Sequence, residues 1–229
     1  MLPPGMAQDV ALQVVVLLVA VAVMWVMWFG VPRSVAQALK GGGPGRARVD
    51  ARRHFVKGAQ LLGRARASGG GGVGASKAMA REAEAEADRA IALDPADAAC
   101  HILKALALER QGNSAAALAS LDAALEPRVA RSLGAWEKSD ALLKRAELLL
   151  AEEDNSKKRR RRGAAAEVAA EADLKEAVEL NGKNAKALCM LATCYEKKGM
   201  AVEARRAFQQ ALEAEPRFSE AKAGLDRLS

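Results

Sequence analysis

The chain has 229 residues and a net charge of +7, and 51% of it is hydrophobic although aromatics make up only 3%. So small an aromatic share argues against a dense globular core and for helices packed through alanine. Three cysteines are an odd number for a disulfide framework, and Cys100, Cys189 and Cys194 all fall in expected helices, which indicates a reducing compartment.

Val10 to Phe29 contains one polar residue, Gln13. As a helix this run spans about 30 Å, so we expect a transmembrane helix over 10–31, preceded by a short non-cytosolic terminus over 1–9. The competing reading is a cleavable signal peptide ending at Ser34-Val35-Ala36; the length of the run and the lack of Lys or Arg before it favour the anchor. Arg33, Lys40, Arg46, Arg48, Arg52 and Arg53 follow the run against Asp50 alone, which by the positive-inside rule leaves the carboxyl side in the cytosol. The expected location is the endoplasmic reticulum or an organelle outer membrane, and the sequence does not decide between them. A basic, Gly-rich linker follows over 32–49. Topology signalling accounts for its charge, and contact with anionic lipid is the sharper reading.

Residues 50–229 read as helical hairpins. Over 50–97, Asp50 to Arg66 supplies a first helix with Phe55, Ala59 and Leu62 inward, Ser68 to Gly74 opens the turn, and Ala83, Ala90 and an Asp94-Pro95 stop mark the second helix. Over 98–131, Ala105, Leu108, Gly112, Ala117, Leu121 and Ala124 form a regular unit in which Pro127 arrives early. The unit over 139–184 pairs Leu142, Ala146 and Leu149 with Ala170, Leu174 and Ala177, but Ala146 stands twice as far from Ala170 as Ala192 does from Ala204. The excess, about 153–164, holds Lys157, Lys158, Arg159, Arg160, Arg161 and Arg162, and we expect an extended basic loop inserted at the hairpin turn. Over 185–218, Leu188, Leu191, Ala192 and Tyr195 share one helix, Gly199 marks a turn, and Ala204, Phe208 and Ala211 share a second helix that Pro216 ends. A last helix over 219–229, carrying Ala221, Leu225 and Leu228, caps the array.

The 34-residue spacing over 185–218 resembles the tetratricopeptide repeat, with only the first aromatic replaced by leucine. The resemblance implies an all-α fold, an α-solenoid of about four TPR-like helix hairpins with a capping helix, here following a single transmembrane helix. Lys104 departs from the family pattern, which has leucine there. The family's first helices line a concave groove that binds peptides or partner helices. By position, that groove would be lined here by Ala99, Ile102, Leu106 and Glu109, then Asp140, Leu143 and Glu147, then Lys186, Cys189, Thr193 and Glu196. Such a mixed apolar and acidic surface suits apolar segments with some basic character. One subset of the family clamps acidic chaperone tails with Lys, Asn and Arg side chains. Its positions fall here on Phe55 or Val56, on Ala59 or Gln60, and on Leu103, Asp140 and Lys144, so no chaperone-tail clamp is expected.

The expected function is that of a membrane-anchored, cytosol-facing adaptor that binds a protein or peptide partner in the groove. The alternative is a structural or assembly subunit of a membrane complex that docks through its convex face or the basic loop. Catalysis finds no support: His54 and His101 are far apart, and no nucleophile elbow, phosphate loop or zinc spacing accompanies them, so neither cofactor nor metal is expected. No aromatic interleaves the basic run to stack a base, so nucleic acid is not an expected partner. A solvated turn accounts for the run, and docking onto lipid or an acidic partner is the sharper reading.

Overall fold

The computed structural model describes residues 44–67, 73–155 and 160–228. The expected terminus over 1–9, the membrane helix over 10–31, most of the linker, and Lys157, Lys158 and Arg159 lie outside the described residues. Among those that are described, no helix is long and apolar enough to cross a membrane. The chain divides into two compact units, Met1–Val49 and Asp50–Ser229.

The described secondary structure is helical throughout. The first hairpin is α1 (Pro44–Ala67) and α2 (Val73–Leu93), and the second is α3 (Ala98–Gln111) and α4 (Ser114–Leu125). A 3-10 turn at Ala130–Ser132 leads to α5 (Ala135–Asn155) and α6 (Arg160–Leu180), and then to α7 (Ala185–Lys197), α8 (Ala201–Ala214) and α9 (Ser219–Arg227). From α2 onward each helix packs on its neighbours in sequence, and α9 touches both α7 and α8. This is an α-solenoid.

Its regularity comes from small residues at the helix crossings. Ala83, Ala117, Ala170 and Ala204 occupy the same place on the second helix of each hairpin, and all four are fully buried, as are Ala90, Ala124, Ala177 and Ala211 two turns on. With no side chain beyond Cβ, these positions let the backbones approach while Leu121, Leu174 and Phe208 fill the space between them. The turns repeat as well. Gly112 and Gly199, with φ of 88° and 75°, adopt the left-handed backbone that ends a helix. Behind each glycine, Asn113 N–H reaches Leu108 O and Met200 N–H reaches Tyr195 O, both at 3.0 Å, so each turn is closed by the same six-to-one bond. Between hairpins, Asp97 N–H bonds Asp94 O, Asn184 N–H bonds Asn181 O, and Phe218 N–H bonds Glu215 O.

Several expectations need correction. Helix α1 begins at Pro44, inside the expected linker, because proline's fixed φ suits the first turn of a helix. Its buried stripe is Ala51, Gly58, Leu62 and Ala65, whereas Phe55 is half-buried and Ala59 exposed. Gly58 is required there, since a Cβ would lie 2.9 Å from Leu103 Cδ2 and 3.2 Å from Ala83 O. The expected basic loop over 153–164 is helical at both ends: α5 runs to Asn155 and α6 starts at Arg160. Arg, Lys, Glu and Ala all favour helix, so much of the excess lengthens two helices. Pro127 ends α4 ahead of the usual turn, and the 3-10 segment then brings Ser132 Oγ to accept from Ala98 N–H at 3.0 Å.

One buried carboxylate ties α1 to α2. Glu86, 3% exposed, accepts from Lys57 Nζ at 2.7 Å and Arg89 Nη1 at 2.7 Å, and lies 2.6 Å from His54 Nδ1, which must carry the proton because a carboxylate only accepts. The His54 and Lys57 hydrogen bonds outweigh the cost of burial and hold its pKa down at about 2, with the Lys57 and Arg89 charges adding to the effect. A depressed folded pKa contributes stability above the unfolded value and loses it as pH falls. Between pH 4.5 and about 2 the advantage of the wild type over Glu86→Gln should therefore disappear. Thermal melts of the pair should show it, with about 2 kcal/mol at stake once screening of the exposed Lys57 and Arg89 heads is allowed for.

Candidate functional site

The first helices α1, α3 and α5 enclose a concave cavity of about 550 Å³ that reaches Lys186 at the start of α7. Ala99, Ile102, Leu106, Asp140, Leu143, Glu147 and Lys186, all proposed from sequence position, line it. Glu109 borders it through Lys144 Nζ at 2.8 Å. The remaining three sit elsewhere. Cys189 is 5% exposed and packs in a cluster with Ala221 of α9, Thr193 Oγ1 donates to Cys189 O at 3.0 Å, and Glu196 accepts from Arg227 Nε and Nη2 at 3.0 and 2.8 Å. The capping helix thus engages the fourth first-helix where the groove would otherwise continue.

An ion-pair ladder fixes the groove floor. Lys144 Nζ bridges Glu109 of α3 and Glu147 of α5 at 2.8 and 2.9 Å, and Glu147 takes Lys186 Nζ of α7 at 2.5 Å. Burial works against both Lys144 and Glu147 in charged form, yet the hydrogen bonds between them and their outer partners prevail, raising the lysine pKa and lowering that of the glutamate. Lys104, the departure from the family pattern, pairs with Asp88 of α2 at 2.8 Å.

Sequence reasoning missed the wall contributed by α1, namely Phe55, Ala59, Leu62, Gly63 and Arg66, and the entrance contributed by Leu133, Trp136 and Glu137. A signal for the first was present: Asp50-Ala51, His54 and Lys57 recur as Asp97-Ala98, His101 and Lys104. In that register Phe55 and Ala59 stand where Ile102 and Leu106 stand, on the groove face. Trp136 lies upstream of the repeat as counted from residue 139, and the extra turn that α5 gains at Ala135 carries it into the groove.

The groups that sequence alone offers for catalysis are otherwise engaged. His54 binds Glu86, and His101 Nε2 lies 3.2 Å from Pro95 O. Burial pushes the Cys100 thiol up to about 12 and the Cys189 thiol up to about 11. Among the described residues no group of three or more His, Cys, Asp or Glu could hold a metal ion.

Residues 185–218 match the tetratricopeptide repeat model. No curated protein matches the sequence. Among solved structures, the chain is similar to a thermophilic TPR protein of Thermus thermophilus (TTC0263), with TM-score 0.53 and 20% identity over 78% of this chain and 80% of that one. It is also similar to pilF of Pseudomonas aeruginosa, with TM-score 0.57 and 15% identity over 82% and 69%. YrrB, described as a TPR protein with an unusual peptide-binding site, gives TM-score 0.50 and 21% identity over 65% and 67%. At these identities the likeness is one of fold: an all-α solenoid of tetratricopeptide type. Proteins with such repeats commonly mediate protein–protein interaction, and the fold is typically a non-enzymatic scaffold.

Proposed function

We propose that this tetratricopeptide-type solenoid is an adaptor that holds a peptide or partner helix in the groove between α1, α3 and α5, and that the run from Val10 to Phe29 anchors it in a membrane with the solenoid in the cytosol. The observation that carries the groove reading is the cavity itself, about 550 Å³ with Phe55, Ile102, Leu106, Leu143 and Trp136 in its lining. Concave, mostly apolar surfaces with a few fixed polar groups are where ligands bind. Trp136 presents 63% of its surface there, and tryptophan is among the residues that partner interfaces favour. The anchor reading rests on the hydropathic run and on the basic residues that follow it.

One experiment tests both parts. Carbonate-washed membranes from cells expressing the full chain are solubilised, and the proteins retained by wild type are compared with those retained by Leu106→Glu. Leu106 is half-buried on the groove floor, so the variant is first checked for unchanged helicity. We expect the chain in the carbonate-resistant fraction and at least a tenfold loss of a defined partner in the variant, about the effect of removing one interface hot spot. Release by carbonate would sink the anchor, and an unchanged partner set would sink the groove and leave docking through the convex face or the basic run.

A further inference from the structure

Charge along the groove is uneven. Lys144 and Lys186 are taken up by the ladder with Glu109 and Glu147. At the amino-terminal end of α5 the acids meet neutral donors instead: Gly134 N–H reaches Glu137 Oε2 at 2.8 Å, and the Asn184 amide reaches Asp140 Oδ1 at 3.2 Å. Among the described residues no Lys or Arg forms an ion pair with either acid. Glu137 stands in the first turn of α5, where the free N–H groups and the partial positive charge of the helix end compensate it. Asp140, a turn further in, lacks that compensation, and burial raises its pKa.

Trp136 precedes Asp140 by four residues and therefore lies on the same face of α5. Both line the cavity. An exposed tryptophan one helical turn from a carboxylate without a cation offers two groups that receive an ammonium or guanidinium: an indole ring attracts the charge through its quadrupole and the carboxylate through its own charge. Arg66, in the last turn of α1, also lines the groove and repels a basic side chain from its own position, which directs such a residue toward Trp136.

The geometry points to a cation subsite in which Trp136 and Asp140 take a Lys or Arg side chain from a segment whose apolar residues lie on Ile102, Leu106 and Leu143. This rests on the groove reading above. It specifies the ligand: an apolar segment with a basic residue at one end, the opposite charge to an acidic chaperone tail.

The test is selection from a displayed library of random dodecapeptides on the full chain in detergent, in parallel for wild type, Leu106→Glu, Asp140→Asn and Trp136→Ala. Asp140→Asn preserves size and still accepts from Asn184, and Trp136 is exposed, so neither change should alter the melting curve. Peptides enriched on wild type should carry apolar residues and a Lys or Arg at a fixed spacing. Their affinity should fall about tenfold in Asp140→Asn and in Trp136→Ala. Replacing the basic residue by norleucine should cost the wild type at least that factor, and should cost Asp140→Asn less than it costs the wild type, the indole's share alone. If no peptide is enriched on wild type over Leu106→Glu, the groove reading itself fails. If peptides are enriched without a basic residue, or lose nothing in Asp140→Asn, the groove stands and the cation subsite is overturned.

Discussion

Replacing Arg145 by alanine should destabilise the solenoid by about 3–5 kcal/mol, the cost of stranding a buried carboxylate. Arg145 Nε and Nη2 grip Asp173 Oδ2 and Oδ1 at 2.7 and 2.6 Å, and Nη1 reaches Asp122 Oδ1 at 2.9 Å, so one guanidinium joins α4, α5 and α6. Asp173 is 5% exposed and has no water to turn to once its partner is removed. Hydrogen bonds to Asp173 raise the arginine pKa above its ordinary value and outweigh the opposing effect of burial, so the guanidinium keeps its charge. Urea denaturation measures the loss. Arg145→Lys should recover little of it, because an ammonium cannot form the two parallel bonds. Asp122→Ala, by contrast, should cost under about 1 kcal/mol, since the Asp122 side chain is 64% exposed. In a solenoid each hairpin is held mainly by its neighbours, so the transition of Arg145→Ala should also broaden as the second and third hairpins uncouple. A loss below about 1 kcal/mol would mean that the three-helix tie contributes no more than an ordinary surface pair.

The parts of the fold that sequence reasoning reached are those set by steric necessity. Fully buried alanines such as Ala117, Ala170 and Ala204, and the left-handed glycines Gly112 and Gly199, leave a residue-type mark, because no other side chain fits the space or the dihedral angle. The misread parts are those where composition suits more than one outcome. The residues around Arg160 serve a helix as well as a solvated loop, and in the structure α6 begins there. Helix α1 shows apolar residues on two faces, and the inward stripe is settled by Gly58 meeting Ala83 of its own hairpin and Leu103 of the next, contacts that one helix's periodicity cannot reveal.

The candidate groove was legible in its middle and illegible at both ends, for different reasons. Leu106 and Leu143 follow from repeat position. Trp136 depends on how far α5 extends before its repeat begins, and Cys189 and Glu196 depend on where α9 docks. Each of these is a tertiary outcome of segments that do not follow the repeat. Lys144 shows a further gap: its charge at a groove position suggests a ligand contact, whereas in the structure Glu109 and Glu147 already hold it.

Docking of α9 should depend on one close contact, between Phe208 and Gly224. Phe208 is fully buried and is the largest side chain so enclosed among the described residues. Gly224 lies so near its ring that an added Cβ would collide with Cζ and Cε1. Phe208→Ala should cost about 3–5 kcal/mol through the cavity it leaves. Gly224→Ala should cost about 1–3 kcal/mol through overpacking, even though alanine favours helix over glycine by about 1 kcal/mol. Both should loosen α9 and uncover Cys189, so alkylation of that thiol read by mass spectrometry follows the docking directly. Cys100, fully buried and clear of α9, serves as the internal reference. Because the two residues touch, their effects should not add: Phe208→Leu together with Gly224→Ala should be more stable than the sum of the single losses predicts, since the smaller side chain makes room for the new methyl. Additive losses, or Cys189 alkylation at the wild-type rate in Gly224→Ala, would show that α9 is held by its other contacts, among them Arg227 on Glu196, and that the ring–glycine contact is incidental.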